Sequence, residues 1–231
     1  MIKKVLLPIT AILLSTTSLF AYKEGDIVIY PEAGLGASTV ILGSELSGSD
    51  FTTKMNSGGN SYSFKKAKSE ADRYWHVGAN GKYFFTDSLS FIGGISFEKS
   101  CFKIVYKSLQ NTDPNAEFKF TSHRLNIPLG VSYYYGHFVA GGGAYLGIPL
   151  SLECKESPYF NNEDKIKSIV NAGFFLEAGF NIYTTDTSNL TIVMRIKGDL
   201  SKINKTSDDV PIERMKISSA SFVFAYGFQI N

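Results

Sequence analysis

Residues 124–152 read RLNIPLGVSYYYGHFVAGGGAYLGIPLSL. Taken two at a time, Leu125, Ile127, Leu129, Val131, Tyr133 and Tyr135 share one side, and Arg124, Asn126, Gly130, Ser132 and Tyr134 share the other. Beyond Gly136-His137 the alternation resumes, with Phe138, Ala140, Ala144, Leu146, Ile148, Leu150 and Leu152 set against Gly141, Gly143, Tyr145, Gly147 and Ser151. Sustained period-two alternation on both sides of a two-residue turn containing glycine predicts a β-hairpin. Placing Tyr135 opposite Phe138 aligns Val131 with Gly142 and Ser132 with Gly141, so each face stays continuous. Both strands exceed the roughly five or six residues usual in soluble sheets.

The two faces differ in a telling way. One is large and apolar, whereas the other is mostly Gly, Ser and Asn with an occasional charge or tyrosine. A soluble barrel would turn the second face to water and fill it with Lys, Glu and Thr. Small, weakly charged residues suit a crowded interior, which leaves the apolar face for lipid. That is the pattern of a transmembrane β-barrel.

The same alternation recurs along the chain. It predicts strands over residues 26–42, 73–85, 89–107, 166–183, 190–199 and 219–229, which with the hairpin makes eight. Residues 43–72, rich in Gly, Ser, Asn and Lys, read as a long loop, with Lys65, Lys66 and Lys68 open to trypsin. Residues 110–116, 156–164 and 205–214 read as further polar loops, whereas 86–88, 136–137 and 184–188 are tight turns. Long and short connections therefore alternate, as in barrels with short periplasmic turns and longer outer loops. Aromatics flank the short turns (Phe84, Phe85, Tyr135, Phe138, Tyr183), and Tyr226 and Phe228 lie at the same end, where an interfacial girdle belongs.

Residues 1–21 carry Lys3, Lys4 and a short apolar run ending Ser18-Leu19-Phe20-Ala21, which predicts a secretory signal ahead of a barrel domain over 22–231. The run falls short of the roughly twenty residues that span a bilayer as a helix. Without those residues the chain holds 21 acidic residues and as many basic ones, which gives no footprint for nucleic acid. Export would permit a disulfide between Cys101 and Cys154. Both have outward parity on strands separated by a third, about 10 Å apart at twice the strand spacing, so free thiols are expected unless the rim bends.

The segments LNIPLGVSYYYG and FVAGGGAYLGIPL resemble the small outer-membrane β-barrel domains related to OmpA and OmpX, and the PorT-like group in particular. The resemblance implies an eight-stranded barrel in the outer membrane of a diderm bacterium, both termini periplasmic. It implies no defined activity, because such domains serve as adhesins, stabilisers or proteins of unknown role. The final strand has the aromatic alternation of these domains but ends Gln229-Ile230-Asn231 where they end in Phe.

Inward parity collects four acids and four bases: Glu32, Lys82, Glu98, Arg124, Glu177, Arg195, Lys197 and Asp199. An eight-stranded interior is just wide enough for side chains to fill, so these charges are expected to pair and close the lumen. Counting up from the 184–188 turn sets Glu177 opposite Arg195 at mid-height. His76 beside Glu98 could imitate a catalytic base and its orienter, but no serine in a strained elbow accompanies them. No metal-ligand spacing, P-loop or dinucleotide fingerprint occurs; the Gly141-Gly142-Gly143 run lies within a strand and no helix follows it. The chain is thus expected to be a monomeric non-enzyme without cofactor. Its partners would be outer-membrane lipid and an extracellular molecule met through 43–72. A narrow pore for ions or small solutes is the alternative, and a soluble lipocalin-like ligand barrel is a third reading.

Overall fold

The computed structural model describes residues 22–42, 52–57, 60–108, 115–156, 168–185, 187–204 and 215–230. Among them nine strands form one antiparallel sheet: β1 (Ile27–Ile41), β2 (Thr52–Ser57), β3 (Asn60–Thr86), β4 (Leu89–Ser108), β5 (Ala116–Tyr135), β6 (Phe138–Glu156), β7 (Asn171–Thr184), β8 (Ser188–Asp199) and β9 (Lys216–Ile230). Each strand from β3 onward pairs with the next, and β1 pairs with both β9 and β3, so eight strands close into an up-and-down barrel. β2 pairs with residues 60–65 of β3 and stands outside the ring as a hairpin arm.

The hairpin of β5 and β6 has Tyr135 opposite Phe138, Val131 opposite Gly142 and Ser132 opposite Gly141. Its turn places Gly136 at φ 57°, a left-handed conformation that costs a residue without Cβ little. The apolar parity faces outward: Leu129, Val131 and Tyr133 are exposed, while Arg124, Asn126, Ser132 and Tyr134 are buried inside. The same holds on every side of the ring, with Leu35, Phe91, Leu176, Met194 and Phe222 all exposed.

β4 shows how far this inverted pattern reaches. From Leu89 to Phe97 its apolar residues Phe91, Ile95 and Phe97 face out, and Ser90, Ser96 and Glu98 face in. Above that point Lys99, Lys103 and Lys107 take the outward positions, and Phe102, Ile104 and Tyr106 are completely buried. β5 repeats the reversal, with Phe118 and Phe120 buried inside and Glu117 and Lys119 outside. The barrel is therefore inside-out over its lower part and has an ordinary water-facing polarity above.

Four expectations are corrected. Residues 43–72 are not one loop: 52–57 and 60–72 are strand, and Lys65 and Lys68 sit in the β2–β3–β4 ladder instead of on an open tryptic site. Polar outward residues above the apolar zone remove the alternation that marks a strand elsewhere. β5 begins at Ala116 and β7 only at Asn171. Phe84 belongs to no outer girdle, because neighbouring strand residues face opposite ways and it is buried in the interior. Lastly, a register shift near His123 and Arg124 turns β6 over beyond Pro149, whose missing N–H suits it to an irregular ladder. Leu152 is consequently buried, and Cys154 packs against the interior cluster while Cys101 faces Thr121 from the other side; no disulfide joins the two. Residues 1–21 and 205–214, and most of the 110–116 and 156–164 loops, lie outside the described residues.

Close approach of backbones explains the glycine run. A Cβ on Gly143 would meet the Leu129 carbonyl oxygen and come within 2.5 Å of Gly130 Cα. One on outward-facing Gly81 would make only ordinary contacts at 3.7 Å. Gly143→Ala should thus cost about 1–3 kcal/mol through overpacking. Gly81→Ala should cost far less, and the urea unfolding midpoints of the two variants measure the difference. Equal midpoints would mean that β5 and β6 part without strain.

Candidate functional site

The interior has three layers. At the turn end Tyr22, Val28, Tyr30, Phe84, Tyr134, Val139, Val193 and Val223 form a buried cluster. At the outer end Phe102, Ile104, Tyr106, Phe118, Phe120 and Leu152 form another, lidded by Ile203, Met215 and Ile217. Burial disfavours ionisation of the Tyr22 and Tyr106 phenols and holds their pKa well above the ordinary tyrosine range. Between these apolar layers lie the charges.

Seven of the eight residues singled out in the sequence meet in two ion clusters. In the lower one, Arg195 clamps two carboxylates. Its Nε and Nη2 donate to Glu177 Oε2 at 2.9 and 2.7 Å, and its Nη1 and Nη2 donate to Glu32 Oε1 and Oε2 at 2.6 and 2.9 Å. Asn80 adds a bond from Nδ2 to Glu32 at 2.8 Å, and the Phe175 ring lies 5.9 Å from the guanidinium carbon. The register is the one counted from the turn, with Glu177 opposite Arg195, although a bulge at Tyr183 puts Thr184 opposite Asn189.

The upper cluster centres on Arg124. Its Nε donates to Glu98 at 2.7 Å, Nη2 reaches the same oxygen, and Nη1 donates to both Asp199 oxygens at 2.9 and 3.0 Å. Lys197 donates to the other Glu98 oxygen at 2.5 Å and lies 4.5 Å from the centre of the Tyr145 ring. Arg124 is 2 % exposed and Glu98 is fully buried, so both depend on these partners in place of water.

Lys82 departs from the expected network. It lies in the lower layer, donating to the Tyr134 hydroxyl at 2.8 Å with its ammonium 4.6 Å from the Tyr30 ring centre. Two tyrosine faces and a phenol oxygen stabilise its charge where a carboxylate was expected. His76 also departs: its Nε2 approaches Glu32 Oε1 at 3.4 Å, while Glu98, its partner across the ladder, is held by Arg124, Lys197 and Tyr74. No base-and-orienter pair forms there.

Several neutral residues missing from the expected network complete it. Tyr74 donates to Glu98 at 2.9 Å. Tyr145 and Asn171 donate to Asp199 at 2.5 and 2.7 Å. The backbone N–H of Ile217 donates to the second Asp199 oxygen at 2.7 Å. Their inward parity was the available signal, because a buried carboxylate needs more donors than the cations alone provide. One cavity of ≈ 20 Å³ lies between the clusters, lined by Asn80, Ser96, Asn126, Tyr145, Arg195 and Lys197 among others. That is room for about one water.

No family model matches this chain, and no curated protein matches it. Among solved structures it is similar to the outer membrane protein OprG of Pseudomonas aeruginosa, with 15 % identity over 93 % of this chain and 100 % of that one, at a TM-score of 0.39. Neisserial surface protein A gives 12 % identity over 87 % of this chain and 97 % of that one, at a TM-score of 0.42. The attachment invasion locus protein Ail of Yersinia pestis gives 13 % over 89 % of this chain and 99 % of that one, at 0.38. The closed ring of eight antiparallel strands is read from this chain's own register.

Proposed function

We propose that the chain is an integral outer-membrane barrel with a closed lumen, which anchors its outer strands and loops at the cell surface for contact with other molecules. The observation that carries this reading is the reversal of polarity along β4 and β5. A belt whose outward residues are apolar and whose inward residues are charged suits a protein surrounded by lipid, and the ordinary polarity above it suits water. On β3 the stretch from Phe85 back to Trp75 matches the roughly nine to eleven residues of a tilted membrane-crossing strand. A lipocalin-like barrel would need the apolar residues inside over this zone, where Glu98, Arg124 and Arg195 stand instead.

Two apolar layers with paired charges between them favour a stopper over a pore. A conducting path would have to cross both the Phe102–Phe120 stack, whose ring centres are 5.3 Å apart, and the Phe84–Tyr134 contact, also at 5.3 Å. The purified full chain in a planar bilayer should accordingly show no single-channel steps in symmetric salt. Stable, reproducible conductance from the unaltered chain would overturn the closed lumen and establish the narrow-pore alternative. The arm formed by β2 and the outer part of β3 stands beyond the ring, and it is where we place contact with an extracellular partner.

A further inference from the structure

The upper edge of the belt is marked on one side by a ladder of rings. Trp75 on β3 lies opposite Lys99 on β4, which lies opposite His123 on β5. Trp75 and Phe97 have ring centres 5.5 Å apart, and Phe97 stacks on His123 at 6.0 Å with an interplanar angle of 25°. His123 is fixed in turn by Ser151, 2.9 Å from Nδ1. Lys99 thus emerges from an aromatic rim as the first charged outward position of β4 above the apolar belt. Two other cations of this outer face have acidic neighbours: Lys103 pairs with Glu117 at 3.2 Å and Lys68 approaches Glu70 at 3.7 Å. Lys99 has no acidic partner among the described residues. Arg73, two residues above Trp75, has a side chain 93 % exposed, and its ion-pair partner among the described residues is the neighbouring Asp72, at 3.7 Å.

We propose that Lys99 and Arg73, above the Trp75–Phe97–His123 rim, form a site for the phosphate of an anionic lipid headgroup. The inference rests on the membrane reading given above. The chemistry is that of an interface: the Trp75 and His123 rings sit at headgroup depth on the strands either side of Lys99, Lys99 meets a phosphate without leaving an ion pair, and Arg73 gives up only its long, exposed contact with Asp72. A lipid is favoured over a soluble anion because the site stands on the outward wall at the edge of the belt, where its ligand's acyl chains have Val77, Phe97 and Leu125 to lie against.

Trp75 is the chain's single tryptophan, which makes it a reporter placed beside the site. The full chain is folded into phosphatidylcholine vesicles containing phosphatidylglycerol, with bromine on the chains of one lipid or the other at equal mole fraction. Brominated phosphatidylglycerol should quench Trp75 as though enriched about fivefold per cation, the ratio equivalent to the ~1 kcal/mol a basic side chain gains at an anionic surface. Lys99→Gln and Arg73→Gln should each reduce the excess and together abolish it, while Lys103→Gln leaves it intact. Excess inorganic phosphate should not remove it; removal would assign the site to free phosphate and overturn the lipid proposal. Equal quenching by the two lipids would overturn the site while leaving the membrane reading standing. Quenching by neither would overturn both.

Discussion

Arg195→Gln is expected to destabilise the barrel by about 3–5 kcal/mol, because it leaves buried carboxylates without their counter-charge. The sequence suggests a simple pair with Glu177, for which Glu177→Gln in the same chain should restore part of the loss. The structure changes that expectation. Arg195 also holds Glu32 through two bonds, at 2.6 and 2.9 Å, from the strand that closes the ring. Glu177→Gln/Arg195→Gln therefore still strands Glu32, and a larger recovery should require Glu32→Gln as well. Urea unfolding from lipid vesicles gives the comparison. A cost for Arg195→Gln below about 1 kcal/mol, the range of an exposed pair, would mean that water reaches the cluster.

Leu176→Arg is expected to cost about 2–4 kcal/mol, and Ile182→Arg only about 0–1 kcal/mol. Both residues face outward from β7 and are 58 % exposed, so exposure to solvent alone predicts no difference between them. They differ in position: Leu176 is near the middle of the strand and Ile182 near the turn. A bilayer makes that difference matter, since a guanidinium at its centre must be dragged to the interface while one at the edge is already there. The same vesicle experiment reads both. Small, equal costs would remove β7 from the membrane.

The eight strands and the register of two hairpins were legible because two independent signals agreed. Alternation marked the faces, and short turns of fixed length fixed which residues meet, so that Val131 opposite Gly142 and Glu177 opposite Arg195 could be counted from Gly136-His137 and from residues 184–188. The signal failed where the alternation changes meaning. Around Lys99 the apolar parity passes from the outside of the barrel to the inside; the strand expected over 89–107 runs through that level, but on β3 and β5 the outward apolar residues stop there and the expected strands stop with them. The stretch 60–72 reads as loop for this reason, and the beginning of β5 falls outside the expected hairpin. In β6 the parity is further turned by the shift beyond Pro149, which sequence spacing cannot register because it depends on the opposing strand.

The charged interior was partly legible. Parity alone put all eight ionisable groups inside, because it depends only on the chain's own period. It could not say which would meet across the lumen, since that depends on the shear of the closed ring and on side-chain reach. Lys82 shows the limit: it is inside, yet it is matched with Tyr30 and Tyr134 because the carboxylates are held by arginines higher up. Nor does composition reveal that tyrosines and asparagines supply much of the bonding to Asp199.

The layout of the ion clusters also constrains the order in which the barrel can be assembled. Two pairs are local to hairpins: Glu98 with Arg124 across β4 and β5, and Glu177 with Arg195 across β7 and β8. On the membrane reading proposed above, each hairpin can therefore approach the bilayer with one of its acids already neutralised by its own base. The remaining bonds are far apart in the chain, Asp199 with Arg124 at 75 residues, Lys197 with Glu98 at 99 and Arg195 with Glu32 at 163. None of these can form before the two halves of the ring meet, so an open sheet leaves Glu32 and Lys197 without counter-ions, and the last seam to zip is the step at which the charges become satisfied together. Closure is then an all-or-none event with a high entropic threshold, and a chain halted before it has strong reason to withdraw from the lipid rather than linger there half-inserted.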